Sequence, residues 1–148
     1  MKEKTTIRKA KRCDAKIFAD LSSKLYKADK DQMALEFEGF LNDKHCMIAF
    51  AEIDKFPVAF VQIQIRKDYV EGTETSPVGY LEGIFVKDPY RNKGYAKELL
   101  SACEKWARDM GCTEFASDCE LDNVGSLKFH LAMGFEEVNR IICFRKGL

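Results

Sequence analysis

A mostly apolar run, Gly79 to Val86, stops at Asp88-Pro89, and an amphipathic stretch begins a few residues later. In that stretch Leu99, Leu100, Cys103, Trp106, Ala107 and Met110 recur at helical spacing. Gly111 closes it at the position where helices favour a left-handed residue. A strand that feeds directly into a helix with one apolar stripe lays that helix against a sheet.

The other elements follow from periodicity. Thr5 to Arg8 reads as a short strand. Asp14 is placed to cap a helix whose face carries Ile17, Phe18, Leu21 and Leu25, and a second helix runs from about Asp31 to Leu41. Cys46 to Ile53 and a strand ending Val61-Gln62-Ile63-Gln64-Ile65-Arg66 form a hairpin across Asp54-Lys55-Phe56-Pro57. The clean alternation at its end predicts one half-exposed face. Glu114 to Ser117 is a short strand, and Asn123 to Met133 is a helix closed by Gly134. Phe135 to Asn139 and Ile141 to Arg145 are predicted as final strands. The predicted fold class is α/β (α+β), a mixed sheet flanked by helices. Its 148 residues suit a single domain, 1–148.

Charge and cysteine usage bound the function. Twenty-four basic and 24 acidic residues cancel, which argues against a general nucleic-acid binder. No stretch approaches the roughly 20 apolar residues of a membrane span. The basic segment Met1 to Arg12 has no apolar run behind it and is not expected to act as a secretory signal. Cys13, Cys46, Cys103, Cys112, Cys119 and Cys143 form no C-x-x-C pair, and only His45 and His130 stand beside them as imidazoles. We therefore expect no metal site and reduced thiols in a cytoplasmic protein.

The segment Arg91-Asn92-Lys93-Gly94-Tyr95-Ala96 joins the apolar strand to the helix. The first turn of a helix leaves N–H groups without partners and carries partial positive charge. Gly94 lets a ligand approach the backbone, so this is an anion site suited to a pyrophosphate. It is neither a Walker A loop nor a dinucleotide fingerprint, since G-K-[ST] and G-x-G-x-x-G are absent. Taken by itself, the segment also reads as an ordinary strand-to-helix turn with a solvated basic patch.

The pattern R-x-x-G-x-A after a strand ending Val-x-Asp-Pro resembles the coenzyme A loop of the GNAT acetyltransferase superfamily. Asn123, Ser126, His130, Gly134 and Phe135 fall at the spacing of the superfamily's N-x-x-A-x-x-x-Y-x-x-x-G-F signature. Two further blocks, Tyr69 to Gly79 followed by Leu81-Glu82-Gly83-Ile84, and Cys112 to Asp118 followed by Leu121-Asp122-Asn123, resemble bacterial aminoglycoside 6′-N-acetyltransferases. The likeness covers most of the chain from about Tyr69 onward; the N-terminal third matches in layout, with Tyr26 at an aromatic position. It implies the GNAT fold, with a mixed, mostly antiparallel central sheet, and acetyl transfer from acetyl-CoA to an amine of an aminoglycoside, a polycation.

An acceptor pocket for a polycation should be acidic. From Tyr69 to Val86 the chain has Glu71, Glu74 and Glu82 and no Lys or Arg; from Gly111 to Leu127 it has Glu114, Asp118, Glu120 and Asp122 and again no base. The plain alternative is that these are solvated loop acids. By the resemblance, Glu82 orients the acceptor amine or relays its proton through water, and a carboxylate among apolar neighbours is otherwise costly. Asp118 faces it and binds an ammonium, and Tyr26 and Tyr69 flank the sugar rings. Backbone groups of Ile84, Phe85 and Val86 pair with the pantetheine arm like an added strand, and one N–H polarises the thioester carbonyl. Asn123 hydrogen-bonds the coenzyme.

The acceptor must lose a proton before it attacks the thioester. No cysteine carries the acyl group, since none sits at a helix N-terminus beside a paired His. Where the superfamily often has a tyrosine acid for the leaving thiolate, this chain has His130, which reads either as that acid or as a packed structural histidine. Some relatives use an acid from the C-terminal strands on the substrate; here Glu136 and Glu137 precede a neutral Asn139. Ile141, Ile142, Cys143 and Phe144 form an apolar edge, which predicts a homodimer. Two alternatives stay open: acetylation of another small polyamine, and a non-catalytic, dimeric coenzyme-A-binding module.

Overall fold

The computed structural model describes residues 4–148, so Met1 to Glu3, the start of the basic N-terminal segment, lie outside the described residues. The chain forms strands β1 (Thr5–Lys9), β2 (Cys46–Ile53), β3 (Phe56–Arg66), β4 (Val78–Val86) and β5 (Phe115–Ala116). Four α-helices accompany them: α1 (Ala15–Tyr26), α2 (Lys30–Asn42), α3 (Tyr95–Asp109) and α4 (Val124–Ala132). The sheet order is β1-β2-β3-β4-β5. Every pairing is antiparallel except β4 with β5, which is parallel. This is the mixed, mostly antiparallel sheet flanked by helices that the sequence predicts.

Period-two alternation sends successive side chains to opposite faces, and both faces are covered. Phe18, Leu21 and Phe37 of α1 and α2 pack on Ile48, Phe50 and Phe60. Tyr95, Leu99, Leu100 and Cys103 of α3 pack on the other face, against Ala49, Val61, Ile63 and Leu81. The stripe read along α3 is therefore its buried face.

Two sequence expectations need correction. The alternation in β3 predicts a half-exposed face, and Gln64 and Arg66 on it are partly exposed, but α1 covers Gln62, which is only 5% exposed. Its polar side chain is satisfied under α1, where the Tyr26 hydroxyl donates to Gln62 Oε1 at 3.1 Å. The final strands do not form either: 135–148 has no regular secondary structure. A strand needs a neighbour, and β5 offers only two residues at that edge of the sheet. Ile141, Ile142 and Phe144 are left 63%, 80% and 91% exposed.

Asp14 caps nothing with its side chain on α1. It is buried, accepts from the Lys11 amide at 2.7 Å, and pairs with Arg8. The anticipated cap is instead half of a buried ion cluster.

Candidate active site

The site begins with an unequal pairing of β4. Its inner edge pairs with β3 from Val78 to Val86. Its outer edge meets β5 only at Gly79 and Tyr80. Beyond Tyr80, among the described residues, no strand lies along that edge. Alternate residues beyond Tyr80, Ile84 and Val86 among them, turn their backbone groups to this uncovered edge, where an added extended chain would pair, while Phe85 faces β3.

A bulge opens the same point. Gln62 pairs with Gly83 and Ile63 with Leu81, so Glu82 is the extra residue without an opposite number. Gly83 is needed beside it: a Cβ there would lie 2.2 Å from Tyr26 Oη and 2.8 Å from Leu25 Cδ2. The end of α1 rests directly on the bulge.

At the far end of β4 the chain turns through a short 3₁₀ segment, Asp88–Tyr90, into the N-terminus of α3. Asn92 and Gly94 both have positive φ, 60° and 89°, which folds the loop back over the helix start. Arg91 turns toward β4: its Nε donates to Val86 O at 3.0 Å and its guanidinium pairs with Asp88. Lys93 Nζ stands 5.9 Å from the Tyr90 ring. Asn92, Lys93, Gly94, Tyr95 and Ala96 form the first turn and its approach, with Tyr95 buried as an anchor.

On the α1/α2 face a cleft of about 330 Å³ lies over the bulge. Its polar lining is Tyr26, Glu36, Gln62, Gln64 and Glu82, with Met33 and Phe40 as the apolar wall. The sequence reading missed Glu36, Gln62 and Gln64. The only sequence signal for them is the polar side of the β3 alternation and one acid on the α2 face, and neither shows that the two elements meet. Burial and the neighbouring Glu82 raise the Tyr26 phenol above its ordinary range, so it serves as a neutral hydrogen-bond donor.

Glu82 is not the lone carboxylate the sequence suggests. Its side chain is 26% exposed, and Oε1 accepts from Arg66 Nη2 at 2.7 Å. The Arg66 guanidinium lies 3.5 Å above the Tyr80 ring centroid. The Tyr80 hydroxyl in turn donates to Asp118. Burial, together with that carboxylate, pushes the Tyr80 phenol up. Glu82 and Asp118 are therefore linked through Arg66 and Tyr80, two residues that the sequence reading did not single out.

The remaining predicted residues lie in separate places. Tyr69 is 79% exposed and donates to Glu71 at 3.2 Å, and Asn139 Nδ2 donates to the other Glu71 oxygen at 2.6 Å. The loop after β3 is thereby tied to the C-terminal segment. Glu137 pairs with Arg140, which lowers its carboxyl below the ordinary range. Glu114 accepts from the amides of Glu74 and Thr75 and shapes that loop.

Asn123 caps α4, its Oδ1 accepting from the Ser126 amide at 3.0 Å, while its side-chain nitrogen takes no part in the cap. His130 is held on both sides. Nδ1 lies 2.7 Å from Ser126 O, and Nε2 lies 2.7 Å from Ser117 Oγ. A carbonyl accepts only, so Nδ1 carries hydrogen and Nε2 accepts from the Ser117 hydroxyl. The ring is packed edge-on against Phe129 and Phe135.

No thiol is poised for attack among those the protein encloses. Burial pushes the Cys46 thiol up to about 12 and raises Cys103 and Cys112 as well. Among the described residues no group of three or more His, Cys, Asp or Glu is arranged to hold a metal ion.

Residues 15–135 match the acetyltransferase (GNAT) family. The chain is 39% identical over 142 residues to the aminoglycoside N(6′)-acetyltransferase type 1 of Acinetobacter haemolyticus, covering 96% of this chain and 98% of that one. It superposes with a TM-score of 0.95 on the crystal structure of the aminoglycoside antibiotic 6′-N-acetyltransferase AAC(6′)-Ih of Acinetobacter baumannii, at 36% identity, covering 98% and 99% of the two chains. With a structure of AAC(6′)-Iy in complex with the bisubstrate analogue CoA-S-monomethyl-acetylneamine the TM-score is 0.93, at 35% identity and with 99% and 100% covered.

Proposed function

We propose that this chain, which belongs to the GNAT acetyltransferase family, transfers acetyl from acetyl-CoA directly to the 6′-amine of an aminoglycoside. It is an acetyltransferase, with relatives named aminoglycoside N(6′)-acetyltransferase over nearly its whole length. The observation that carries the reading is the juxtaposition at the β4 bulge. There an edge able to pair with an extended arm passes, within one residue, into a carboxylate that faces a cleft.

The donor's fit rests on two features of the chain. The pantetheine amides find partners along the free edge of the Ile84–Phe85–Val86 segment, at the outward groups of Ile84 and Val86, and the pyrophosphate lies on the first-turn amides of α3, with Asn92, Lys93 and Gly94 shaping the approach. Arg91 fixes that loop to the end of β4 and adds charge. The Asn123 side-chain nitrogen hydrogen-bonds the arm. As co-substrate, acetyl-CoA supplies an activated acyl group, and the residues supply placement and charge.

Glu82 and Asp118 hold the acceptor as a cation, with Tyr26 and Tyr69 against its rings and Glu137 and Asn139 beyond them. The ammonium gives its proton to water near Glu82, and the free amine attacks the thioester carbonyl. A β4 N–H stabilises the charge that grows on that oxygen. The C–S bond breaks, and the thiolate takes a proton from solvent.

We take residues 1–148 as one catalytic domain. All six cysteines are free, which supports a reducing, cytoplasmic setting. No helix among the described residues is long and apolar enough to cross a membrane. The exposed Ile141, Ile142 and Phe144 support a homodimer in which this segment packs on a second copy. Sedimentation at micromolar concentration should give twice the monomer mass.

Mass spectrometry of kanamycin after incubation with protein and acetyl-CoA tests the reaction. A single added acetyl group, placed by fragmentation at the 6′ nitrogen, is the expected product. Unmodified kanamycin, or faster acetylation of spermidine, contradicts the reading.

A further inference from the structure

Glu82, the main carboxylate of the acceptor cleft, has a fixed positive charge beside it, which is the reverse of what tight binding of a cation calls for. Arg66 Nη2 sits 2.7 Å from Glu82 Oε1, and the guanidinium is stacked 3.5 Å over the buried Tyr80 ring. That stacking fixes the charge in place, and a guanidinium does not lose its proton.

Resting on the acetyl-transfer reading above, we infer that Arg66 is a positioning and tuning residue that lowers the proton affinity of the bound acceptor amine, weakening its binding as a cation in exchange for easier release of the proton. The carboxylates around the amine act in the opposite sense. Glu82 from β4, Asp118 beyond β5 and Glu36 from α2 each favour the ammonium form, which cannot attack. The other titratable groups facing this cluster are Tyr26 from α1, Tyr80 from β4, Cys46 at the start of β2 and Asp43 at the end of α2. The tyrosines and Cys46 are held neutral by burial. Among the described residues, Arg66 is thus the cation in ion-pair contact with the acceptor carboxylate. No bond is made or broken at Arg66. The proton passes from nitrogen to water, and the guanidinium acts through its field.

The experiment is a pH series of kcat and KM with kanamycin and acetyl-CoA for the wild type, Arg66→Met, Arg66→Gln and Arg66→Lys. Thermal melting and coenzyme A binding verify folding. A full charge a few ångströms from the amine is expected to shift its proton affinity by about one pH unit. The two neutral variants should bind kanamycin more tightly, with KM about tenfold lower, and their acid limb of kcat should move about one unit upward. Arg66→Lys keeps the charge and should keep the limb near the wild-type position. Arg66→Gln retains a hydrogen-bond donor for Glu82 and carries the comparison if Arg66→Met does not fold. An acid limb that stays put in a folded neutral variant overturns the inference, as does a limb that moves equally in Arg66→Lys. A wild-type protein that leaves kanamycin unmodified instead overturns the acetyl-transfer reading, and this inference with it.

Discussion

Arg8 and Arg66 each pair with a carboxylate and lie over an aromatic ring, the one on the edge strand β1 and the other on the inner strand β3. Arg8 on β1 pairs with Asp14 and with Glu52 of β2, and its guanidinium lies 5.3 Å from the Phe50 ring. Arg66 on β3 pairs with Glu82 and stacks on Tyr80, which holds Asp118. The chemistry is the same and the surroundings differ. Asp14 and Glu52 are both buried, so the first cluster is complete and closed. Glu82 is partly exposed beside a cleft, Asp118 is at the surface, and no strand covers β4 beyond Tyr80. A closed cluster can only hold the fold together; an open one can exchange a partner for a ligand.

The largest expected effect breaks the open cluster. Glu82→Gln combined with Asp118→Asn should lower kcat/KM for kanamycin by about a thousandfold, roughly 4 kcal/mol, while the melting temperature moves little. Next is the closed cluster. Arg8→Met leaves two buried carboxylates without their cation and should cost about 3 kcal/mol in urea unfolding, with kcat of the folded fraction unchanged.

The pH response sharpens the contrast. The hydrogen bonds from Arg8 lower the Asp14 carboxyl in the folded state, so its stabilisation is present above the unfolded carboxylate range and is lost as pH falls through the folded value. Acid unfolding should therefore be shallower in Asp14→Asn than in the wild type, measured by circular dichroism below about pH 4. Smaller still, Gly83→Ala should raise KM for kanamycin several-fold by displacing Tyr26 and Leu25 from the bulge. Glu36→Gln, at the rim of the cleft, should raise it about threefold and leave the plateau value of kcat alone.

The sequence showed what a single segment can show. The α3 stripe, the loop at Arg91–Ala96 and the β2–β3 hairpin are local patterns, and each formed where periodicity placed it. Glu82 and Asp118 stood out through the resemblance to aminoglycoside acetyltransferases, in segments that carry acids and no bases. Arg66 and Tyr80 did not, because their meaning lies in a pairing register: Gln64 opposite Tyr80, Arg66 opposite Val78, and one residue of slip at Glu82. Gln62 misled in the other direction, since alternation cannot tell a solvated face from one covered by a distant helix. The final apolar run has strand composition but finds no strand to pair with among the described residues.

The central claim is that the uncovered edge of β4 is where the donor lies. Hydrogen–deuterium exchange of the protein with and without coenzyme A reads that edge amide by amide. Slowed exchange confined to the outward amides of Leu81–Val86 and to the turn at Asn92–Ala96 is the predicted result; protection that leaves those amides unchanged and falls elsewhere would contradict it.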